Sequence, residues 1–308
     1  MSPLPIIIDT DPGVDDAMAI LYALAEPEID LIGLTSVFGN INGPLAALNA
    51  LRLVELAGAE VPVAVGASRP RVQDPVGDAT YVHGEGGFGT VSLPHPSRLP
   101  DPRPAPQFLA KMCAARPGEV TLVAVGPLTN LAAALDETPE IARTVRSVVV
   151  MGGAVRCRGN VTPYAEANIW QDPHAAQRVF DAEWPLTLVG LDVTERITCN
   201  AADLAPMAER SPRCGAFLAD AAAFYFDFHK RTAGIDGCHL HDPAAVIAAH
   251  DPSLFTQQTA PLAVTLDGDA IGQTREAETG RPNDICVDAD IEGVRARFLS
   301  ALHAGRLP

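Results

Sequence analysis

Short β-branched apolar runs alternate with stretches of helical period along most of this chain. Ile6 to Ile8 reads as a buried strand, Pro12-Gly13 as a turn, and Ala17 to Leu24 as a helix. Asp30 to Phe38 reads as a second strand, Pro44 to Leu56 as a helix and Val61 to Val65 as a short strand. Val120 to Val125 (strand), Leu128 to Leu135 (helix), Arg146 to Val150 (strand), Pro173 to Glu183 (helix) and Pro185 to Gly190 (strand) continue the alternation. Strands separated by helices predict a mainly parallel sheet, wound on both faces, in a single Rossmann-like α/β domain over residues 1–308.

Beyond residue 200 the pattern turns helical. Ala201 to Lys230 is helical over much of its length and carries an aromatic patch at Phe224, Tyr225, Phe226 and Phe228. A further helix is expected from Asp242-Pro243, with the aspartate as cap. Short strands near Ala263 to Leu266 and Ile285 to Val287 and a closing helix, Ile291 to Leu302, complete the pattern. Gly66 to Pro106 and Arg231 to Leu240 read as loops, and long loops in a compact α/β domain are more often functional than idle.

Composition narrows the classes. With 308 residues, 47% of them hydrophobic, the chain has ample material for a sizeable core. A net charge of −16 disfavours DNA, RNA and anionic membrane as partners. No apolar stretch is long enough to span a bilayer. Met1 to Pro5 carries no basic residue of the kind that opens a signal peptide, so the expected location is the cytoplasm. The six cysteines are scattered without a CxxC pair, which points to reduced thiols rather than a zinc site or a disulfide framework.

The chemistry concentrates where the first strand ends. Asp9, Asp11, Asp15 and Asp16 fall within eight positions, at the carboxyl end of a predicted strand, where α/β folds bind ligands. One such aspartate is most simply a helix cap. Four crowded carboxylates repel unless a cation or shared protons neutralise them, and a hard divalent ion does so economically. A haloacid-dehalogenase-type phosphatase also carries Asp-x-Asp after a strand. It has a Thr or Val where Gly13 stands, and no role for the adjacent pair Asp15-Asp16. Three further segments hold candidates: His239-Leu240-His241-Asp242-Pro243, Asn160 to Asp172, and Gly126-Pro127-Leu128-Thr129-Asn130. Each also reads as ordinary cap, loop or turn.

Taken together these segments resemble the inosine-uridine-preferring nucleoside hydrolases, nearly end to end. The resemblance rests on Asp9-Thr10-Asp11-Pro12-Gly13-Val14-Asp15-Asp16, Phe38-Gly39-Asn40, His83-Gly84-Glu85, Val125 to Asn130, Met151-Gly152-Gly153, Asn160, Glu166-Ala167-Asn168 and His241-Asp242-Pro243, in that order. It implies a Ca²⁺-dependent enzyme that hydrolyses the N-glycosidic bond of a small ribonucleoside. The implied ligands are Asp11, Asp16, Asp242 and the carbonyl of Val125. Asp11 would be the general base and Asn40 would orient the water, with Asp9 in support. Asp15 would hold the ribose 2′-hydroxyl, Asn168 other ribose hydroxyls, and Asn160 and Glu166 the 5′-hydroxyl. Met151 would line the substrate site and His83 would lie near the base. His241 would be the acid that assists the leaving base, which tilts the expected preference toward pyrimidine or mixed substrates. Against that tilt, Lys230 to Gly234 lacks the tyrosines of many pyrimidine-preferring relatives. Trp170 is expected to serve the core. Relatives imply a homodimer or homotetramer. A non-catalytic ribonucleoside-binding protein is the alternative of another class.

Overall fold

The three isoleucines that open the pattern are completely buried. Ile6 and Ile8 enter the core on one face of the central sheet, and Ile7 enters the core on the other. An unbroken apolar run, rather than alternation, is what a strand covered on both faces requires.

The computed structural model describes residues 2–308. The chain runs β1 (Leu4–Thr10), α1 (Val14–Ala25), β2 (Ile29–Ser36), α2 (Gly43–Leu56) and β3 (Val63–Ala64). A long excursion holding only the single turn α3 (Thr80–His83) leads to α4 (Ala105–Ala115). Then come β4 (Thr121–Ala124), α5 (Thr129–Glu137), α6 (Ile141–Thr144), β5 (Ser147–Met151), α7 (Ala167–Gln171), α8 (Pro173–Phe180) and β6 (Leu186–Val189). The remainder is α9 (Leu191–Thr194), β7 (Thr198–Cys199), α10 (Ala201–Arg210), α11 (Pro212–Ala233), β8 (Cys238–His239), α12 (His241–His250), β9 (Phe255–Val264), β10 (Thr274–Glu276), β11 (Pro282–Ala289) and α13 (Ile291–Leu302).

Among the described residues the main sheet has nine strands in the order β10-β9-β11-β6-β5-β4-β1-β2-β3. All pairs from β3 to β11 are parallel, and β9 pairs antiparallel with both β11 and β10. This matches the expected parallel, doubly wound sheet with extra helices in the C-terminal half. From β1 the chain winds outward through β2 and β3, then returns to place β4 on the other side of β1. That reversal opens a crevice beyond the carboxyl ends of β1 and β4. α1 and α12 pack together on the face that buries Ile6 and Ile8.

Several boundaries differ from the sequence reading. α4 was not expected. Pro104 serves as its cap, and Phe108, Leu109 and Cys113 bury one stripe of it, so the helix had been hidden in a proline-rich surrounding. The long helical stretch divides at Ser211-Pro212 into α10 and α11, as a proline at the first helical turn requires. The two late strands are longer than predicted because β9 and β11 pair with each other over most of their length. Among the described residues, no helix is long and apolar enough to cross a membrane.

Candidate active site

Asp9 and Asp11 are the last carboxylates of β1 and the turn beyond it, and they are used differently. Asp9 is gripped between β2 and the start of α5: Thr35 Oγ1 donates to Asp9 Oδ1 at 2.5 Å and Asn130 Nδ2 donates at 2.7 Å. Burial pushes its carboxyl up to about 7 despite these bonds. Asp11 is fully buried and accepts from the Asn40 backbone N–H at 2.6 Å. Its other oxygen, Oδ1, has no partner. Close approach of the chain on both sides depends on two glycines. A Cβ at Gly39 would lie 2.0 Å from Asp11 Oδ2, and one at Gly126 would lie 2.5 Å from Oδ1. The motifs Phe38-Gly39-Asn40 and Val125-Gly126-Pro127 are thus the walls of the Asp11 pocket.

Asp16 is the third residue of α1 and completes its cap. Its carboxylate accepts from Gly13 N at 2.9 Å, Asp11 N at 3.2 Å and Thr10 Oγ1 at 2.5 Å, and also from Asn40 Nδ2 at 3.0 Å. The helix-cap reading of this residue therefore holds, and it coexists with membership of the acid cluster. Asp15 accepts from the Tyr225 hydroxyl at 3.2 Å through Oδ2, while Oδ1 stays unpartnered 3.8 Å from His83 Nδ1. Asp242 arrives on the first turn of α12, also with an unpartnered oxygen, Oδ2. The amino ends of α1 and α12 both point into the cluster, which favours negative charge there.

Carboxylate oxygens of Asp15, Asp16 and Asp242 lie within 4.8 Å of one another. Burial pushes Asp15 and Asp16 up to about 6, the second also through repulsion from Asp15. Burial, then the neighbouring acids, drive Asp11 and Asp242 well above the usual carboxylate range. Such a set is unfavourable as bare anions. Its donors are hard oxygens and three of its acids carry an unused oxygen, so the cluster fits a hard metal ion. The tightest trio includes Asp15, whereas the resemblance had implied Asp11 in its place. Asp11 stands adjacent, with its free oxygen against Gly126 and so beside Val125.

The ribose candidates line the next stretch of the crevice. Asn168 Nδ2 donates to the carbonyls of Val125 at 2.9 Å and Met151 at 3.2 Å, joining β4, β5 and α7 at one point. Glu166 caps α7: its carboxylate accepts from Gly153, Asn168 and Ile169 N–H groups, and burial raises it. Asn160 lies further out, is exposed, and accepts from Ala167 N at 3.1 Å. Trp170 is half-buried against Gly272 and away from the acids' hydrogen-bond network.

A layer of rings covers the acids. His83 stacks on Tyr225 at 5.3 Å, and Tyr225 meets His229 edge-on at 4.5 Å. His229 meets His239 at 4.9 Å, and His239 meets His241 at 5.1 Å. Burial holds every imidazole in the row below its ordinary value: His83 falls to about 4, His229 to about 3, His239 lies lower, and His241 well lower. His83 Nδ1 accepts from Val14 N at 3.2 Å, which ties the excursion between β3 and α4 to the start of α1. Tyr225 and His229 escaped the sequence reading as site residues, although a signal existed. Leu218, Ala221, Ala222, Tyr225 and His229 form the buried stripe of α11, and the last two continue an apolar face with polar groups. Thr35 and Thr194 carried no signal at all. A surface cavity of about 580 Å³, lined by Thr80, Gly84, Phe88 and Phe224 among others, lies near this loop and helix and includes none of the acids.

The inosine-uridine preferring nucleoside hydrolase family model matches residues 6–296. The chain belongs to this family. Uridine nucleosidase 1 of Arabidopsis thaliana is 43% identical over 270 residues, covering 87% of this chain and 80% of that protein. A plant nucleoside hydrolase, the PpNRh1 enzyme, superposes with a TM-score of 0.94 at 39% identity, over 98% of this chain and 99% of that one. A purine-preferring ribonucleoside hydrolase from Gardnerella vaginalis also reaches 0.94, at 34% identity and the same coverage. This nucleoside hydrolase is accordingly an N-glycosidase of ribonucleosides, and neither the phosphatase nor the non-catalytic binding alternative finds support.

Proposed function

We propose that the enzyme is Ca²⁺-dependent and uses Asp11 as general base on water, with inversion at the anomeric carbon and a pyrimidine or mixed base preference. One observation carries the reading: buried carboxylates with unused oxygens sit at the switch point of a parallel sheet, with an imidazole beside them on the same helix start. Asp11, Asp16, Asp242 and the Val125 carbonyl would hold the ion. A bound dication would neutralise the acids and would lower the pKa of a water it holds.

The chain's own groups account for the rest. Asp11 takes the proton from the attacking water, and Asn40, fixed to Asp11 and Asp16 by two hydrogen bonds, orients that water. The glycosidic bond breaks through a ribosyl cation, which the surrounding carboxylates stabilise. Asp15 holds the 2′-hydroxyl, Asn168 a neighbouring hydroxyl, and Asn160 and Glu166 the 5′-hydroxyl, while Met151 lines the site. This grip fixes the sugar in a reactive geometry. His241 donates to the departing base, with His83 near the base ring. The row of imidazoles favours bases that need hydrogen-bond donors over ones captured by stacking alone. On the family resemblance we place the enzyme in the cytoplasm as a homodimer or homotetramer.

The decisive experiment measures free ribose from uridine, cytidine, inosine and adenosine, with and without chelator. Chelator-sensitive release that Ca²⁺ restores and Mg²⁺ does not supports the reading. Equal rates with and without metal would sink it.

A further inference from the structure

We propose that Thr194 is a positioning residue that aims the His241 ring at the leaving base. The inference rests on the reading of His241 as leaving-group donor given above.

Thr194 ends α9, the single turn after β6, and it is completely buried. Its hydroxyl lies 2.8 Å from His241 Nδ1, a hydrogen bond across 47 residues of chain. The turn that carries it is fastened at both ends. Asp192 accepts from the backbone N–H groups of Val155 and Arg156 at 2.9 and 2.7 Å, and Thr194 N donates to Gly190 O at 3.1 Å. Just beyond, Leu240 N donates to Ile197 O at 2.8 Å. β7 and β8 then pair Thr198 with His239. Residues 194–199 are therefore tied to 238–241 at several points, and Thr194 supplies a side-chain hydrogen bond to the His241 ring.

Its chemistry suits that place. With Nδ1 engaged, Nε2 is the nitrogen left for the substrate. A hydroxyl both donates and accepts. When the hydroxyl donates to Nδ1, the ring is held as the neutral tautomer with its hydrogen on Nε2. As the C1′–N bond breaks, its electron pair moves to the base, and Nε2–H hydrogen-bonds the developing anion, which solvent then protonates. A carboxylate or carbonyl partner would only accept, and would draw the ring hydrogen to Nδ1 instead. The ring thus keeps its aim, and its hydrogen toward the base, through the turnover.

The test uses the full-length Ca²⁺-loaded enzyme and two substrates, uridine and p-nitrophenyl β-D-ribofuranoside, whose leaving group departs without a proton. Thr194→Val should lower kcat on uridine about 10- to 100-fold, as loss of an orienting hydrogen bond does. It should leave KM and the p-nitrophenyl substrate within about 2-fold. Thr194→Ser, which keeps the hydroxyl, should restore most of the rate. Long-range ¹H–¹⁵N spectra of the His241 ring should lose the wild-type Nδ1 signature in Thr194→Val and keep it in Thr194→Ser. If Thr194→Val does not fold, Thr194→Ala is read in the same way. Equal slowing of both substrates, or of neither, overturns the proposal while His241→Ala still separates them. If His241→Ala itself fails to separate them, the assignment of His241 falls first and takes this inference with it.

Discussion

The acid floor and the ring cover of this site are built by opposite means. In the floor, Asp9, Asp11 and Asp16 are fixed by backbone N–H groups and by Thr10, Thr35, Asn40 and Asn130, all on or next to central strands. In the cover, His83, Tyr225, His229, His239 and His241 touch mainly through ring faces and edges. Nε2 of His229 and Nδ1 of His239 are buried without any partner. A polar atom buried without a bond is costly, so the cover stores free energy that a ligand can recover. On the proposed reading the floor would meet the sugar, the part of the substrate that never changes, and the cover would meet the base, the part that varies. Relatives of the same fold include a uridine nucleosidase and a purine-preferring ribonucleoside hydrolase.

The contrast can be broken in graded steps. The largest effect is expected in the floor: Asp11→Ala should cut kcat at least about 1,000-fold on every nucleoside, measured by ribose release. Normal turnover in that variant would end its assignment as base. In the cover, His241→Ala should cost about 100-fold or more on uridine and little on p-nitrophenyl riboside. A uniform loss would move His241 into the floor. Next is metal linkage. Saturating Ca²⁺ at about 100 times Kd should add about 3 kcal/mol to stability at pH 8, seen as a rise in melting temperature. Burial pushes Asp16 up to about 6, so protons compete with the ion for it below that. The rise should shrink at pH 5; a pH-independent rise would show that Asp16 does not bind it. The smallest effect concerns His229. Its pKa of about 3 lies below the unfolded value, so the unfolded chain binds the extra proton between the two. Its contribution to stability is whole above pH 6.5 and is lost as pH falls toward 3. His229→Phe should flatten the decline between pH 6.5 and 5 by about 1 kcal/mol, read by denaturant titration.

The two regions also differed in how plainly they could be read. The floor was legible because strand, turn and helix fall within eleven residues, so that Asp9 to Asp16 must lie together whatever the rest of the chain does. The alternating pattern also gave the parallel sheet, because covered strands demand continuous apolar runs. The cover was not legible in this way. Tyr225 looked like one of several aromatics, and only the phase of α11 makes it the one that reaches Asp15. α4 was masked by flanking prolines. Thr194 lies 47 residues from His241, and a threonine in a short turn has no local mark of such a partner.

The amino-acid order alone therefore determined the winding of the sheet, the four acids at the end of its first strand and the family. The first two follow from contacts between near neighbours, where geometry leaves little choice. The folded chain alone decided which imidazoles meet, which of their nitrogens stay free, and which hydroxyl turns His241. Those depend on the packing of α9, α11 and α12 over the crevice, and side-chain direction across distant segments is set by that packing, not by spacing along the chain.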